Sequence, residues 1–550
     1  MTSIASAYSE SAHLDRFVLD NLPPPDAWPE LLLNQAEFAV PPRLNCVSDV
    51  LGGASSDRAE GLAILAPGSF QWSYHDLDIV INQVAQVLAE DLGMTSGNRV
   101  LVRGWNTPAF AAIWLAVVKA GGVVVPTMPL LRAKELRHII DKAQITHVLY
   151  EQGLEADLVT ALPTSGPAIT VMSYDAPWGG ELARAASMKR STFEAVDTWS
   201  GDPCLIAFTS GTTGPAKATV HTHRDILAIC NTFPSSILRA NDTDRFIGSP
   251  PLAFTFGLGG LLLFPLTAGA STVLLDRASP EALSRGIEEY GATICFTAPT
   301  AYRKIATETS ESFPALRICV SAGEPLPDAT RQRWRERTGL ELLDGLGSTE
   351  LLHIFVANPP GTTVSSPGAI GGAVPGYRIT VLDDKGSPVS TGTVGRLAVK
   401  GPTGCRYLAD EARQRAYVVD GWNVTGDTGW IDESGSYHHV GRYDDMIVSA
   451  GYNISPVEIE ELLLTHPGVY ECGVAALPDP VRGQIVAAYV VPAAGWTADV
   501  VLAEDLQHFA KAGLAPYKYP RHVSFRRSLP RTDSGKLQRS KLSVDAENTR

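Results

Sequence analysis

The feature that most constrains the fold is a regular alternation of apolar strands and helices in the first part of the chain. Between residues 98 and 150, the segments NRVLVRG, GGVVVPT and THVLY predict strands. Helices are expected to begin at Thr107-Pro108 and to cover AKELRHIIDKAQ. Val-rich strands separated by helices are typical of a parallel sheet that is covered on both faces. The alternation returns over residues 202–356, so two such layers are expected.

The sequence pattern changes in the remainder of the chain. Short strands and Gly-rich turns over residues 370–437 predict a small β subdomain, and the last part combines two predicted helices (457–464 and 503–513) with the strands GVAALPD and IVAAYVVP. We therefore expect an α/β protein with two domains. Residues 1–442 would form a large N-terminal domain of two doubly wound α/β subdomains plus a small β-barrel subdomain, and residues 443–550 a small mobile α+β domain.

Charge and cysteine content narrow the classes of function and of compartment. The 45 Lys and Arg against 59 Asp and Glu give a net charge of −14, which disfavours generic binding to nucleic acid or to an anionic membrane. The seven cysteines are scattered and odd in number, and no secretory signal is visible, so a reducing, cytoplasmic location is expected. Residues 246–275 carry no charge, but prolines and glycines interrupt them and favour a buried strand, loop and helix over a membrane span.

The strongest local motif is FTSGTTGPAK, residues 208–217. Small residues let the backbone wrap closely around an anion, the hydroxyls and amides donate hydrogen bonds, and the lysine supplies charge. A phosphate-binding loop after a strand is favoured over a surface turn, and the spacing differs from that of P-loop NTPases. The residues expected to hold the phosphate are Thr209, Ser210, Gly211, Thr212, Thr213, Gly214 and Lys217.

This loop resembles the phosphate loop of the adenylate-forming enzymes, which include acyl-CoA synthetases, adenylation domains and luciferases. The other motifs of that family follow in its order: DGLGSTE (344–350), TGD (425–427), GRYDDMI (441–447), GYNISPVEIE (451–460) and PRTDSGK (530–536). Two departures concern loop geometry only. Ala216 and Ala218 flank Lys217 where the family usually has Pro-Lys-Gly, and Asp344 replaces a common aromatic residue.

The resemblance implies attack of a carboxylate on the α-phosphate of ATP. An acyl-adenylate forms and pyrophosphate leaves, so the site must neutralise two anions. Lys536 would bridge the carboxylate and the α-phosphate; without the motif, the residue could be a solvated tail lysine. Thr349 and Glu350 are expected to be catalytic with Lys536; Glu350 would hold Mg²⁺, and Asp427 and Arg442 would contact the ribose. The remaining nucleotide contacts would come from Gly323, Glu324, Pro325, Asp344, Gly345, Leu346, Gly347 and Ser348.

The family also uses a second half-reaction, in which coenzyme A attacks the acyl carbon. The small domain rotates about a hinge aspartate, here Asp444, so that the lysine leaves and a loop around Gly451 arrives. Gly451 would let the pantetheine arm pass, or would serve only the turn that it occupies. The nine Lys and Arg over residues 507–541 are either a solvated basic face or a platform for a phosphate-bearing ligand.

Three segments are expected to form the acyl pocket. Phe256 would be a flat wall for an aryl ring, or ordinary core, and His353 would be a pocket residue, as in the benzoate and 2-aminobenzoate CoA ligases, or a core histidine. The segments PPLAFTFGLGG, SAGEPLP and GSTELLHIFVANP resemble that branch, so an ortho-substituted benzoate is expected, 2-aminobenzoate before salicylate. The predicted pocket residues are Thr255, Phe256, Gly257, Ala322, Gly323, Gly347 and His353.

Two rival functions share these motifs. A stand-alone adenylation enzyme would load the aryl group onto a carrier protein instead of coenzyme A. A non-catalytic adenylate sensor would keep the fold without the reaction, and the presence of Lys536 and Glu350 speaks against it. The sequence does not choose between a monomer and a homodimer.

Overall fold

The structure is a computed structural model, and it describes residues 10–35, 38–52, 58–209, 216–360, 368–449, 452–479, 482–532 and 536–542. The strands are, in chain order, β1 (Leu62–Ala66), β2 (Phe70–Ser73), β3 (Arg99–Arg103), β4 (Val123–Thr127), β5 (His147–Glu151), β6 (Thr170–Tyr174), β7 (Pro203–Thr209), β8 (Lys217–Thr222), β9 (Arg245–Gly248), β10 (Ser271–Val273), β11 (Ile294–Thr297), β12 (Ile318–Ala322), β13 (Leu342–Gly347), β14 (Ile354–Ala357), β15 (Ala369–Ala373), β16 (Arg378–Leu382), β17 (Gly395–Lys400), β18 (Val418–Val419), β19 (Trp422–Ile431), β20 (Tyr437–Arg442), β21 (Ile447–Ser449), β22 (Tyr452–Ile454), β23 (Val469–Asp479), β24 (Gly483–Pro492) and β25 (His522–Phe525).

The α-helices are α1 (Phe17–Asp20), α2 (Cys46–Val50), α3 (Tyr74–Gln86), α4 (Pro108–Lys119), α5 (Ala133–Ala143), α6 (Glu155–Ala161), α7 (Gly180–Ser187), α8 (His223–Thr232), α9 (Thr255–Leu258), α10 (Phe264–Ala268), α11 (Pro280–Tyr290), α12 (Pro299–Glu308), α13 (Asp328–Thr338), α14 (Glu411–Tyr417), α15 (Pro456–Leu463) and α16 (Val500–Gly513). Short 3₁₀ turns cover Pro25–Ala27 and Tyr443–Asp445, and π-helical turns cover Val87–Asp91, Phe233–Leu238 and Gly259–Leu263.

The first sheet confirms the predicted parallel layer. Its order is β6-β5-β3-β4-β7-β8, with β3 to β7 running parallel to their neighbours and β8 returning antiparallel to β7. Helix α4 begins where Thr107-Pro108 predicts it, because the Thr107 side chain accepts a hydrogen bond from the Phe110 amide and Pro108 occupies the first turn. All of α4 is buried, as expected for a helix between two layers.

The second sheet contains the strands of the predicted second layer and also those of the small β subdomain. Its order is β16-β17-β19-β20-β15-β14-β13-β12-β11-β9-β10-β1-β2, with β18 beside β19. The centre, from β1 to β13, contains parallel pairs, whereas β13 to β20 pair antiparallel. The uncharged residues 246–275 cover part of β9, all of α9, α10 and β10, and are largely buried. No helix in the described residues is both long and apolar enough to cross a membrane.

The predicted small β-barrel is wrong in one respect. The small β subdomain exists, but in the described part of the chain its strands follow one open order and do not close on themselves. The physical reason is that β15 pairs on one side with β20 and on the other with β14. The edge that would close a barrel is used to extend the second sheet.

The C-terminal part has its own sheet and core. Strand β24 pairs with β21, β23 and β25, and the helices α15 and α16 cover it through a cluster that includes Ile459, Leu463 and Leu506. This agrees with the predicted α+β fold. The boundary at residues 442/443 falls between the end of β20 and the 3₁₀ turn Tyr443–Asp445, and it stays a prediction.

Candidate active site

Four motif residues from distant parts of the sequence meet at one place. Asp427 and Arg442 are directly opposite each other on β19 and β20. Glu350 follows β13, and Lys536 comes from the C-terminal domain. The charges of Glu350, Asp427, Arg442 and Glu324 all act on the Lys536 ammonium group. The structure therefore brings together residues that the sequence could connect only by motif.

Asp427 is held as a carboxylate. It is 5% exposed, and its Oδ1 lies 3.2 Å from Nη1 of Arg442 and 3.4 Å from Nε2 of His439. Burial alone would raise the pKa of Asp427, but Arg442 and His439 together lower it below its usual range. Asp427 in turn raises the pKa of Arg442. The pair offers an anionic acceptor and a cationic donor side by side, as recognition of ribose hydroxyls requires.

Lys536 extends toward the large domain. Its Cε is 3.8 Å from the place that a Cβ on Gly323 would occupy, and Gly323 has a φ of +91°. The residue as a whole is exposed, yet its ammonium group is crowded: burial first, and then Arg442, lower its pKa, while Asp427, Glu350 and Glu324 act in the opposite direction. A lysine in this position can neutralise two anions that approach it.

Glu350 and Thr349 are each held by a residue that no motif indicated. The hydroxyl of Tyr407 donates to Oε1 of Glu350 over 2.7 Å, and both side chains are buried. Nε2 of His221 lies 2.8 Å from the Thr349 carbonyl, and burial lowers the pKa of His221 to about 4, so the neutral ring donates this bond. A fixed, buried carboxylate is the kind of oxygen ligand that Mg²⁺ prefers.

One end of the predicted phosphate loop, at Lys217, lies near the same tyrosine. Thr209 ends β7 and Lys217 begins β8, and the two are paired across the antiparallel strands. The Nζ atom of Lys217 lies 5.9 Å from the centre of the Tyr407 ring. Oγ1 of Thr209 is buried and has no hydrogen-bond partner among the described residues, which fits a donor reserved for a bound anion. The five remaining loop residues lie outside the described residues: Ser210, Gly211, Thr212, Thr213 and Gly214.

Strand β13 contains two closely packed glycines, and its one charged residue, Asp344, forms an ion pair with α13. A Cβ on Gly345 would lie 2.5 Å from Cδ1 of Ile354, and one on Gly347 would lie 2.7 Å from the His353 carbonyl oxygen. Asp344 pairs with Arg331 of α13 at 3.0 Å, and burial raises its pKa to about 6. Its carboxylate is thus engaged with α13, while Leu346 and Ser348 remain partly exposed beside the glycines.

The predicted acyl pocket is a cluster of rings. His353 is 2% exposed, and its ring centre lies 4.5 Å from that of Phe264, 5.4 Å from Phe233 and 5.9 Å from Phe256. Phe296, which the sequence reasoning missed, packs 5.5 Å from Phe256. Thr255 and Gly257 are buried next to Phe256, and a Cβ on Gly257 would lie 2.2 Å from the Pro251 carbonyl oxygen.

His353 is buried like a core residue, but its ring nitrogens are left able to bind a ligand. Among the described residues, neither of its ring nitrogens makes a hydrogen bond of ordinary geometry. Burial lowers the pKa of His353 to about 3, against a smaller opposing effect of the Phe256 backbone. The ring is therefore neutral at pH 7, with one donor and one acceptor nitrogen. Phe256 is only partly buried, so the cluster is open on its side.

The loop after β12 contributes in a different way than expected. Ala322 is buried, Gly323 faces Lys536 and Pro325 is exposed. The Glu324 carboxylate accepts hydrogen bonds from the Thr300 hydroxyl and from Arg531 of the C-terminal domain. At the predicted hinge, Asp444 is exposed within the 3₁₀ turn. Gly451 lies outside the described residues.

Comparison with known proteins identifies the family of the chain. The family model for AMP-binding enzymes matches residues 55–407, and that for the C-terminal domain of AMP-binding enzymes matches residues 458–536. The benzoate–CoA ligase of Thauera aromatica is 32% identical over 512 residues, which cover 92% of this chain and 96% of that protein.

Two solved structures extend the likeness to three dimensions. The anthranilate CoA ligase AuaEII in complex with anthranoyl-AMP is 30% identical, with a TM-score of 0.86, over 93% of this chain and 99% of that one. A benzoate CoA ligase from Burkholderia xenovorans LB400 is 30% identical, with a TM-score of 0.83, over 91% and 100% of the two chains. The predicted family is confirmed: the chain belongs to the AMP-binding enzymes of the adenylate-forming superfamily and is an AMP-forming acyl-CoA synthetase that resembles aryl-CoA ligases.

Proposed function

We propose that this chain is an ATP-dependent aryl-CoA ligase that converts an ortho-substituted benzoate to its CoA thioester through an acyl-adenylate. 2-Aminobenzoate is the first substrate to consider, then salicylate, and benzoate is a third. The observation that carries the proposal is the neutral, buried His353 among the rings of Phe233, Phe256 and Phe264. Relatives that act on benzoate and anthranilate support the same class of acid.

The residues of the site divide the work of the first half-reaction. Lys536 neutralises the carboxylate and the α-phosphate as they approach. Asp427 and Arg442 orient the ribose, and Thr209 and Lys217 contact the phosphates that leave as pyrophosphate. Glu350 would hold Mg²⁺, which when bound supplies charge neutralisation at the phosphates. Residues 443–550 then rotate about Asp444 for the second half-reaction, with coenzyme A as the acceptor.

The chemistry of His353 explains a preference for an ortho substituent. An apolar pocket accepts any ring of suitable size, but a neutral imidazole also offers one donor and one acceptor. An amino or hydroxyl group beside the carboxylate can pair with it. Benzoate leaves this buried polar group unpaired, and such a loss is penalised. We therefore expect slower turnover of benzoate than of 2-aminobenzoate or salicylate.

The test is a pyrophosphate-release assay that gives kcat/KM for benzoate, 2-aminobenzoate, salicylate, 4-hydroxybenzoate and octanoate. His353→Ala should narrow the gap between benzoate and the ortho-substituted acids. His147→Ala is the matched control, because His147 is also buried but lies on β5 of the first sheet. A wild-type preference for octanoate would end the aryl assignment, and an unchanged ratio in His353→Ala would return His353 to the core.

The acceptor needs a separate measurement. Incubation with ATP, the aryl acid and coenzyme A, followed by mass spectrometry, should show the aryl-CoA thioester. If the adenylate accumulates and coenzyme A stays free, the enzyme loads a carrier protein instead. Release of pyrophosphate with any aryl acid rules out a non-catalytic sensor.

A further inference from the structure

One arginine joins the two domains beside the catalytic lysine. In the C-terminal domain, Arg531 directs Nη1 to the Glu324 carboxylate of the large domain and Nη2 to Glu471 on β23. The three side chains are 15 to 29% exposed, so the bridge is partly shielded from water. Charge-assisted hydrogen bonds in such a setting are stronger than those between exposed ions.

The large-domain end of this bridge is fixed independently. The hydroxyl of Thr300, in the first turn of α12, donates to the other oxygen of Glu324. Glu324 follows β12 directly after Gly323, the residue next to the Lys536 side chain. The carboxylate is thus a preset anchor rather than a mobile surface group.

The other end of the bridge is coupled to the backbone of Lys536 by hydrogen bonds. The Thr532 amide donates to the Lys536 carbonyl over 2.7 Å, and the Lys536 amide donates to the Thr532 hydroxyl over 3.0 Å. Arg531 and Leu537 also form an antiparallel β-bridge. Wherever Arg531 is held, the backbone of Lys536 is held with it.

A second contact joins the same two domains. Nη1 of Arg303, on α12, donates to the Tyr470 carbonyl over 2.7 Å, and the Tyr470 hydroxyl donates to Glu308 over 3.1 Å. Tyr470 precedes Glu471 on β23. The two domains are therefore joined at Arg531, which binds Glu324, and at Tyr470 of β23, which contacts α12.

We propose that Arg531 is a positioning residue that clamps the C-terminal domain onto Glu324 for adenylation and so places the Lys536 ammonium at the site. Because rotation of the domain would separate Arg531 from Glu324, the clamp acts in the first half-reaction and must open for the second. The inference rests on the two-step function proposed above. It assigns Arg531 and Glu324 a role in positioning the C-terminal domain, in place of the nucleotide contact expected of Glu324.

The test separates the two half-reactions in single-turnover experiments. Arg531→Leu should lower the rate of acyl-adenylate formation roughly 10- to 100-fold, as expected when a charged group is misplaced. Thioester formation from supplied acyl-adenylate and coenzyme A should stay within about twofold of wild type or rise. Arg531→Lys, which keeps the charge but loses the two-pronged geometry, should recover part of the adenylation rate.

Arg415→Leu is the matched control, because Arg415 also joins two carboxylates, Asp26 and Glu411, but within the large domain. It should leave both half-reactions unchanged. Should Arg531→Leu fold poorly in a thermal melt, Glu471→Gln gives a milder opening of the clamp, with the same selective loss expected. Equal losses in both half-reactions, or no loss in adenylation, would overturn the clamp. A wild-type enzyme that adenylates no aryl acid would instead refute the proposed function.

Discussion

Removal of one hydroxyl, in Tyr407→Phe, tests whether the buried Glu350 is held for catalysis. Burial first, and then Cys405 and Glu350, raise the pKa of Tyr407, so its hydroxyl stays protonated and donates to Glu350. The variant leaves the ring, and hence the contact with Lys217, in place. Only the 2.7 Å bond to the carboxylate is lost.

The magnitude follows from the type of bond. A hydrogen bond to a charged, buried group contributes about 1.5–3 kcal/mol. If the whole of this is lost from transition-state stabilisation, kcat/KM for adenylation falls roughly 10- to 150-fold, at 1.36 kcal/mol per tenfold change. Because Glu350 is the expected magnesium ligand, the concentration of Mg²⁺ needed for half-maximal rate should rise as well.

The assay is pyrophosphate release at several concentrations of Mg²⁺, with Tyr417→Phe as the matched control. The Tyr417 ring centre lies 5.7 Å from that of Tyr407, and its buried hydroxyl makes no hydrogen bond of ordinary geometry among the described residues. The control should therefore lose little. The reasoning is refuted if the two variants are equally impaired, or if Tyr407→Phe changes stability but neither the rate nor the Mg²⁺ dependence.

Two further perturbations concern ionisation. In its proposed role, Lys536 must be protonated to neutralise the approaching anions, and its pKa is lowered. The adenylation rate should therefore fall, as pH rises, at a lower pH than the ordinary pKa of lysine suggests. Lys536→Arg should shift this fall in the pH–rate profile to higher pH; an unshifted fall would assign it to another group. On α15, burial and then the Asp328 charge raise the pKa of Glu461 to about 7. Between the unfolded value of about 4.3 and this pKa the folded state holds the extra proton, so stability falls as pH rises. Glu461→Gln should then raise the melting temperature at pH 8 and not at pH 4, whereas an equal shift at both pH values would contradict the assignment.

The parts of the fold that the sequence predicted are those determined by local pattern. NRVLVRG, GGVVVPT and THVLY became β3, β4 and β5, because Val-rich segments with helices between them have few alternatives. The open order of the small β subdomain could not be read in the same way. It depends on whether β15 pairs with β14, a long-range choice that strand periodicity does not record.

The same division holds at the site. Lys536, Glu350, Asp427 and Arg442 could be selected from ordered motifs, and the structure brings them together. Tyr407 could not, because its role comes from a single hydroxyl that packing brings to Glu350, 57 residues away in sequence.

Glu324 shows that a motif can also suggest a contact that the structure does not have. Its motif suggested contact with the nucleotide, whereas in the structure its carboxylate is engaged by Thr300 and Arg531. A motif records which residue type is required at a position. The partners of that residue are decided by elements that the motif does not contain.

All seven cysteines of the chain are reduced and buried. Thiol-reactive dyes attack accessible thiolates. Burial raises the pKa of six of the seven thiols. Cys204 and His223 lower the pKa of Cys46 to about 6 against the effect of burial, but Cys46 is fully enclosed. Fluorophores can therefore be attached to cysteines newly introduced on the exposed surfaces of the two domains without deleting any native thiol. Single-molecule energy transfer between such a pair would test the proposed rotation of the C-terminal domain during turnover, in an enzyme whose core is unaltered.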